Sequence, residues 1–503
     1  MSQIVWRNIE GELKGFYSDP ETNEEIEATW APQAGSQELF LSCPVFEVLY
    51  EGNRGPGKTD ALLMDFVQHV EKGFGSEWVG ILFRKTYKQL EDVISKSKKW
   101  FPLMFPSAKF NESKLVWSFK DGERLFFRHF ESPSDYWNYH GHAYPWIGWE
   151  ELTTWADDKC YKAMFSCARS TAVGVPIFIR STTNPYGIGH NWVKSRWKLP
   201  VNSGRLHGPL ITDSKDIQGN PEPPRIAIHA HLSENKILLH SNPDYMDRIR
   251  AAARNKSELE AWLHGSWDIV AGGMFDDVWF DVKDKAVVPT FQVPSSWYID
   301  RSFDWGSTRP FSVGWWAVSD GSDLQFPNGR VISTVKGDLF RIAEWYGWNG
   351  SPNEGLKITA KEIARGIKDK EKQLGISKRV SPGPADSSIF DEENGNCIAT
   401  DFEDEGVYWE RADKSPGSRK QGWEQLRKRL KATYNDGLPR EEAGIFICEN
   451  CENWTRTVPA LPRDDKDLDD VDSKAEDHIA DETRYRVRYE TRNIKISSST
   501  GLY

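Results

Sequence analysis

The sequence predicts an α/β protein of two large domains, the first built around a largely parallel sheet flanked by helices. Three observations point there. The chain has 503 residues, more than one hydrophobic core usually serves. From Pro44 onward, short apolar runs alternate with amphipathic stretches, the pattern of parallel strands joined by crossover helices. A second run of the same alternation opens near Trp297, beyond the glycine-containing segment Ala271-Gly272-Gly273, which reads as a hinge.

Taken in order, residues 1–43 are mixed and polar, with no strong period before Phe40. Buried strands are expected at Phe46–Tyr50, Val79–Phe83, Trp146–Trp149 and Pro176–Ser181, with helices at Asp60–Val70 and Lys88–Trp100 between them. Leu115–Phe119 and Arg124–Phe130 flank the turn Lys120-Asp121-Gly122-Glu123 and read as a hairpin. Residues 203–226, rich in Gly, Pro and Asp, read as a long loop, followed by helices near Pro243–Arg254 and Ser257–Gly265. The second block is expected to hold strands at Trp297–Phe303, Ser312–Val318 and Arg341–Tyr346, and helices at Ile358–Leu374 and Gly422–Ala432. Residues 463–477 are acidic and read as loop. The divisions that result are 1–43, a core at 44–202, a linker subdomain and hinge at 203–273, a second domain at 274–490 and a tail at 491–503.

Composition narrows the class without naming a ligand. Hydrophobic residues at 38% and charged residues at 28% fit a globular chain. The 23 tryptophans supply core and contact area. No apolar run is long enough to span a bilayer, and Met1–Glu10 lacks the apolar stretch of a signal peptide, so a cytosolic protein with no membrane partner is expected. Six cysteines do not suggest a disulfide scaffold, and the Cys448/Cys451 pair has no second pair to complete a zinc site. A net charge of −11 argues against a basic coat but leaves room for a local groove. Lys96–Lys99 and Arg419–Lys431 are the candidates, and solvated helix faces explain either stretch as well.

The sharpest local signal is Gly52-Asn53-Arg54-Gly55-Pro56-Gly57-Lys58-Thr59, which fits G-x-x-x-x-G-K-[ST] between an apolar strand and a helix. Glycines such as Gly52, Gly55 and Gly57 let backbone N–H groups wrap phosphates, and the helix that follows offers its positive end. Lys58 is expected to reach the β- and γ-phosphates of ATP, and the Thr59 hydroxyl to ligate Mg²⁺. Such a P-loop NTPase needs an acidic strand end to hold the magnesium shell and polarise water. Trp146-Ile147-Gly148-Trp149-Glu150-Glu151 supplies it, with Glu150 on the metal side and Glu151 activating water. In the second block, Asp304, Asp386 and Asp481 lie at three separated strand or helix ends. Carboxylates gathered this way can bind two Mg²⁺ or Mn²⁺ ions and cut a phosphodiester. Asp477 and His478 open the same helix as Asp481, and His478 and Asp481 share a helix face.

Arg54 within the P-loop, the Glu150-Glu151 pair and Arg180-Ser181-Thr182-Thr183-Asn184-Pro185 resemble the motor of the large terminase subunit of tailed bacteriophages. Gly187-Ile188-Gly189-His190-Asn191-Trp192 is similar to the same family. The resemblance implies that Thr183 and Asn184 belong to a motif coupling γ-phosphate status to movement. It also implies that Gln37, with Phe40-Leu41, sits in the adenine-reading segment, and that Arg54 acts on the γ-phosphate. Arg169 is an alternative finger, reaching a neighbouring subunit, and a plain salt bridge explains it equally. The chain departs from the family in having Glu150 where Asp is usual.

Asp304-Trp305-Gly306, Ala385-Asp386-Ser387 and Asp477-His478-x-x-Asp481-x-x-Arg484-Tyr485 resemble, in this order, the family's ribonuclease H-like nuclease. His478 is then a metal ligand, a proton shuttle or a support, as is Asp477. The implied activity is ATP-driven translocation of double-stranded DNA into a procapsid, joined to metal-dependent endonuclease cutting. The implied partners are the portal protein, a small terminase subunit and further copies in a pentameric ring. The implied place is the host cytoplasm, transiently on the procapsid and not in the mature virion. A P-loop helicase or remodeller with a non-cleaving C-terminal domain, and a structural portal-associated protein, are the competing readings.

Overall fold

The computed structural model describes residues 4–496 apart from 19–21, 23, 200–208, 216–218, 254–255, 268–272, 351–352, 393–394 and 465. It divides into two compact units, Met1–Ala271 and Gly272–Tyr503. Ala271 and Gly272 of the expected hinge lie outside the described residues.

The first unit opens with a small antiparallel sheet, β1 (Val5–Ile9), β2 (Glu12–Ser18) and β3 (Glu25–Glu27). Its main sheet has nine strands: β4 (Glu47–Gly52), β5 (Val79–Arg84), β6 (Lys109–Asn111), β7 (Val116–Ser118), β8 (Arg124–His129), β9 (Trp146–Glu150), β10 (Phe178–Thr182), β11 (Leu210–Thr212) and β12 (Arg225–Ala230). Across the sheet the order is β11-β12-β4-β10-β9-β5-β8-β7-β6. Pairing is parallel from β12 to β8, and antiparallel strands finish each edge. Both faces are covered, which is why these strands read as near-continuous apolar runs. Val48, Tyr50, Leu82 and Trp146 pack into one layer, and Leu49, Ile81, Phe83, Ile147 and Trp149 into the other.

Three expectations need correction here. Residues 1–43 are not featureless, because they carry β1–β3; these strands are short and mostly exposed, so no hydrophobic period marks them. The 203–226 segment is not one loop, since it holds β11 and the start of β12, while its 203–208 and 216–218 parts lie outside the described residues. The region from 203 onward is also not wholly a separate linker subdomain. β12 pairs with β4 over Arg225–Ala230 and Glu47–Gly52, satisfying a row of backbone groups that a core strand cannot leave open.

In the second unit, β14 (Tyr298–Asp304), β15 (Ser312–Val318) and β18 (Leu339–Tyr346) form an antiparallel meander. The sheet is completed by β13 (Val287–Val288), β19 (Val380–Ser381), β20 (Pro384–Ala385), β21 (Glu410–Arg411) and β22 (Ile445–Cys448). A separate hairpin pairs β16 (Leu324–Gln325) with β17 (Val331–Ile332). The order is β13-β22-β18-β15-β14-β20-β21, with β19 also on β14. A meander whose first strand then pairs in parallel with strands returning across a helix (Ala360–Gln373) is the ribonuclease H-like arrangement expected. The last helix, His478–Ile496, runs into what was expected to be the tail from 491. Among the described residues no helix is long and apolar enough to cross a membrane.

Buried ion pairs fix that helix to the sheet. Glu482 Oε2 lies 2.5 Å from Arg341 Nη1, with both side chains fully buried. Trp316 Nε1, the Ser302 hydroxyl and the Ser312 hydroxyl also donate to the Glu482 carboxylate. One turn on, Arg486 Nε lies 2.6 Å from Asp300 Oδ1. Removing one member of such a pair strands the other in a low dielectric. Glu482→Ala should therefore lower the stability of the second unit by about 3–5 kcal/mol. Denaturant unfolding followed by tryptophan fluorescence checks this, and the double change Arg341→Met/Glu482→Met should recover most of the loss.

Candidate functional sites in the two units

The first site sits at the carboxyl ends of β4, β10 and β9. The strand carrying the P-loop and the strand ending in Glu150 are separated by β10, whose end carries Thr182, Thr183 and Asn184. The loop itself depends on glycine, with positive φ at Gly52, Gly55 and Gly57. Gly52 has φ 135, and a Cβ there would meet the Ala230 carbonyl at 2.1 Å; Gly57, with φ 84, starts the helix Lys58–Val67. The helix is locked beneath the sheet by Asp65, which accepts from Arg180 Nε on β10 at 3.3 Å and from Trp146 Nε1 on β9 at 2.7 Å.

Lys58 is buried inside the loop and donates to the carbonyls of Gly52 and Asn53 and to Asn184 Oδ1 at 3.0 Å. The other end of the same amide, Asn184 Nδ2, donates to both Glu151 oxygens at 2.8 and 3.1 Å. One side chain thus joins the lysine to the carboxylate expected to activate water. Burial lowers the Lys58 ammonium to about 8, against the pull of Glu151 and Glu51. That environment favours an incoming polyanion.

Glu150 is buried, and burial raises its carboxyl, opposed by the Arg84 guanidinium 3.7 Å away and by a hydrogen bond from Thr59. Thr59 and Glu150 together offer the hard oxygens that Mg²⁺ takes while keeping most of its waters. The longer side chain in place of the usual Asp is accommodated, since Glu150 reaches Thr59. Arg54, Gly55, Gly57, Lys58, Thr59, Arg84, Glu150, Glu151, Thr182 and Asn184 line one cavity of about 590 Å³. Arg54 is turned aside within it. Its guanidinium lies between the Tyr186 and Trp262 rings, 5.0 Å from each, and Nε donates to the Tyr186 hydroxyl at 2.8 Å.

Gln37 lies beside the P-loop, donating to the Pro56 carbonyl at 2.9 Å and accepting from Gln33 N–H at 2.8 Å. It lines an adjoining cavity of about 680 Å³ with Trp30, Gln33, Gly57, Asp60, Trp100 and Asn235. One expectation is corrected. Thr183 does not face the phosphate cavity: its hydroxyl pairs with that of Thr153 at 2.8 Å in the interior, and Thr182 takes the lining position. Arg169 donates to the Gly141 carbonyl at 3.0 Å.

The second site stands at the carboxyl end of β14. Asp386 N–H donates to the Phe303 carbonyl, which sets Asp386 beside Asp304. The C-terminal helix brings His478 Nδ1 to 3.4 Å from Asp304 Oδ2 and the Tyr485 hydroxyl to 3.4 Å from Asp304 Oδ1. Burial first, and then the charges of Asp481 and Asp386, push the Asp304 carboxyl up to about 7, despite the hydrogen bond from His478. Asp477 is pushed up to about 6 by burial and by Asp481. Acids that raise one another call for cationic company.

Part of that company is internal. Among the described residues no group of three or more His, Cys, Asp or Glu is gathered closely enough to hold a metal ion. Asp304, Asp386 and Asp481 are neighbours but not a closed cage, because basic side chains hold two of them. Lys414 Nζ lies 2.5 Å from Asp386 Oδ1, and Arg484 Nε lies 3.0 Å from Asp481 Oδ1. Arg419 spans Asp470, Asp477 and Asp481. His478 Nδ1 faces Asp304, and Nε2 pairs with Asn353 Oδ1 at 2.9 Å. The oxygen donors nevertheless suit Mg²⁺ or Mn²⁺ by chemistry.

Sequence reasoning missed Arg84, Tyr186, Trp262 and Asn235 at the first site, and Lys414 and Asn353 at the second. Arg84 carried a usable signal, a charge closing an apolar strand as Glu150 does.

No family model and no curated protein matches the chain. Solved structures similar to it include the large terminase of a thermophilic bacteriophage, also solved with ADP, at 16% identity and TM-score 0.38, covering 91% of this chain and 99% of that one. The large terminase of bacteriophage HK97 matches at 10% identity and TM-score 0.37, over 90% of this chain and 94% of that one. The nuclease domain of the P22 large terminase matches at 14% identity and TM-score 0.30, over 44% of this chain and 94% of that one.

The Lys58–Asn184–Glu151 chain makes a separable prediction. Asn184→Ala should leave nucleotide affinity within about threefold, since the loop amides and Lys58 remain, while hydrolysis slows about 100-fold because Glu151 loses its orientation. Binding of a fluorescent nucleotide and phosphate release measure the two; equal losses in both would contradict the assigned role.

Proposed function

We propose that this chain is the motor and nuclease of a viral DNA-packaging machine. ATP hydrolysis in the first unit drives double-stranded DNA through a portal into the procapsid, and a metal-dependent nuclease in the second cuts the concatemer. The observation that carries the reading is the Lys58–Asn184–Glu151 chain, which ties the phosphate loop and the water-activating acid to the motif that resembles the terminase coupling element. The acid cluster around Asp304 in the same chain adds the cutting function.

In this reading Lys58 leaves Asn184 for the β- and γ-phosphates, and Asn184 holds Glu151 against the attacking water. Thr59 and Glu150 would hold Mg²⁺, which supplies charge neutralisation on the phosphates. Arg54 leaves its aromatic cage for the γ-phosphate. In the second unit Asp304, Asp386 and Asp481 would hold Mg²⁺ or Mn²⁺, which activates water and stabilises the leaving oxygen. His478 keeps Asp304 oriented. Working partners are the portal protein, a small terminase subunit and sister copies in a pentameric ring, assembled in the host cytoplasm and released before the virion matures.

Separate loss of the two activities tests the assignment. Lys58→Ala should lose nucleotide binding, and Glu151→Gln should bind nucleotide but not hydrolyse it; both should still cut plasmid DNA with Mn²⁺. Asp304→Asn, Asp386→Asn and Asp481→Asn should each abolish cutting, with EDTA doing the same to the unaltered protein, while ATP hydrolysis stays near its starting rate. A chain that hydrolyses ATP and moves along DNA but never cuts it would point instead to a helicase or remodeller. Packaging into purified procapsids with ATP is the decisive positive result.

A further inference from the structure

Resting on the nuclease reading above, we infer that Lys414 is an exchangeable counter-ion of the cutting site: it holds Asp386 while no divalent ion is bound and moves to a backbone phosphate of DNA when the carboxylates are taken. The two basic residues over the acids are built differently. Arg419 spans Asp470, Asp477 and Asp481, and its guanidinium lies 5.6 Å from the Trp423 ring centre. A planar fork held by three carboxylates and a ring has no reason to leave. Among the described residues Lys414 makes one ion pair, 2.5 Å from Asp386 Oδ1, and its side chain is 41% exposed.

The backbone under Lys414 is fixed while its ammonium is not. Ala412 N–H donates to the Ala385 carbonyl, continuing the β20–β21 pairing, and Asp413 accepts from Ser415 N–H and from Arg488. The residue is thereby pinned at the rim of the site, with a flexible four-carbon stem reaching Asp386 and its Nζ 5.8 Å from the Tyr485 ring centre. Tyr485 in turn touches Asp304, so Lys414 stands on the Asp304–Asp386 side and Arg419 on the Asp477–Asp481 side.

A divalent ion on Asp386 competes directly with the ammonium. Once displaced, a partly exposed lysine on a pinned loop lies within a side-chain length of whatever the acids act on. For a DNA substrate that is phosphate, which a lysine binds as a point charge. The lysine thus lowers metal affinity in the empty site and raises substrate affinity in the loaded one, so ions are retained best when DNA is present.

The test uses the full chain and Lys414→Gln. Mn²⁺ binding without DNA, read from the EPR signal of the free ion, should tighten about fivefold, because one competing ion pair is gone. Binding of a short duplex with Ca²⁺ should lose about one unit from the slope of log affinity against log salt. Cutting should slow, and Lys414→Arg should restore the salt slope. Unchanged Mn²⁺ affinity together with an unchanged slope overturns the inference. Asp386→Asn separates the two levels of the argument. If it weakens Mn²⁺ binding while Lys414→Gln behaves as the unaltered chain, only the exchange is wrong. If it leaves Mn²⁺ binding intact, the metal-site reading fails as well.

Discussion

Charge that has to be buried at the ends of covered strands is the constraint around which both units are organised. A carboxylate in an apolar interior is unstable without a cation or several donors. Yet Glu47, Glu51, Asp65, Asp300, Glu371 and Glu482 all lie in the interior. Each has been given a partner from a different element: Arg196 for Glu47, His229 for Glu51, Arg180 for Asp65, Arg486 for Asp300, Arg301 for Glu371 and Arg341 for Glu482. Five of these pairs weld a helix to a strand and the sixth, His229–Glu51, joins β12 to β4, each in one register, because a misplaced element would strand a charge. Whatever they add to net stability, they fix geometry.

Against that background the site residues stand out by the kind of partner they have. Lys58 is held by carbonyls and by a neutral amide, and burial has lowered its hold on the proton. Asp386 is held by one exposed lysine and a single backbone N–H. The welds join arginine, or in one case histidine, to carboxylate in the interior, whereas the sites rely on contacts that an incoming anion or cation can replace. The same chemistry therefore does two tasks, separated by how many bonds each charged group makes and how far water can reach it.

How much of this was legible in the sequence follows from where the information resides. Gly52–Thr59 was readable because a phosphate loop is local: strand, glycines, lysine and helix follow one another. The core strands were readable because burial on both faces leaves few substitutes for aliphatic and aromatic residues, as in Trp146–Glu150 and Val79–Arg84. β12 was not, because Arg225 and His229 make it look polar; His229 is satisfied by Glu51, 178 residues away. β1–β3 escaped because strands exposed on most positions leave no period to find. The acids of the second site could be listed from the sequence, but not the basic residues that hold them. Nothing local distinguishes Lys414 from any other exposed lysine until the β20–β21 pairing sets its loop beside Asp386.

The Glu150-Glu151 pair shows how backbone geometry resolves what the sequence leaves ambiguous. Consecutive residues of a strand point to opposite faces, so two adjacent carboxylates should not serve one cavity. β9 ends at Glu150, and Glu151 takes a left-handed conformation with φ 54 and ψ 58. That turn costs a glutamate roughly 1–2 kcal/mol. It is held in place by the two hydrogen bonds from Asn184, by Thr154 N–H donating to the Glu151 carbonyl, and by the Thr153–Thr183 contact alongside. The result is that Glu150 points toward Thr59 and Arg84 while Glu151 points toward Asn184 and Lys58, from adjacent positions on one cavity wall. The extra methylene of Glu150 relative to an aspartate belongs to this solution, because the side chain must reach the first turn of the P-loop helix from a strand end one strand removed. On the proposed reading, this strained residue at a strand end, kept there by Asn184, is the acid that orients water beside the phosphate.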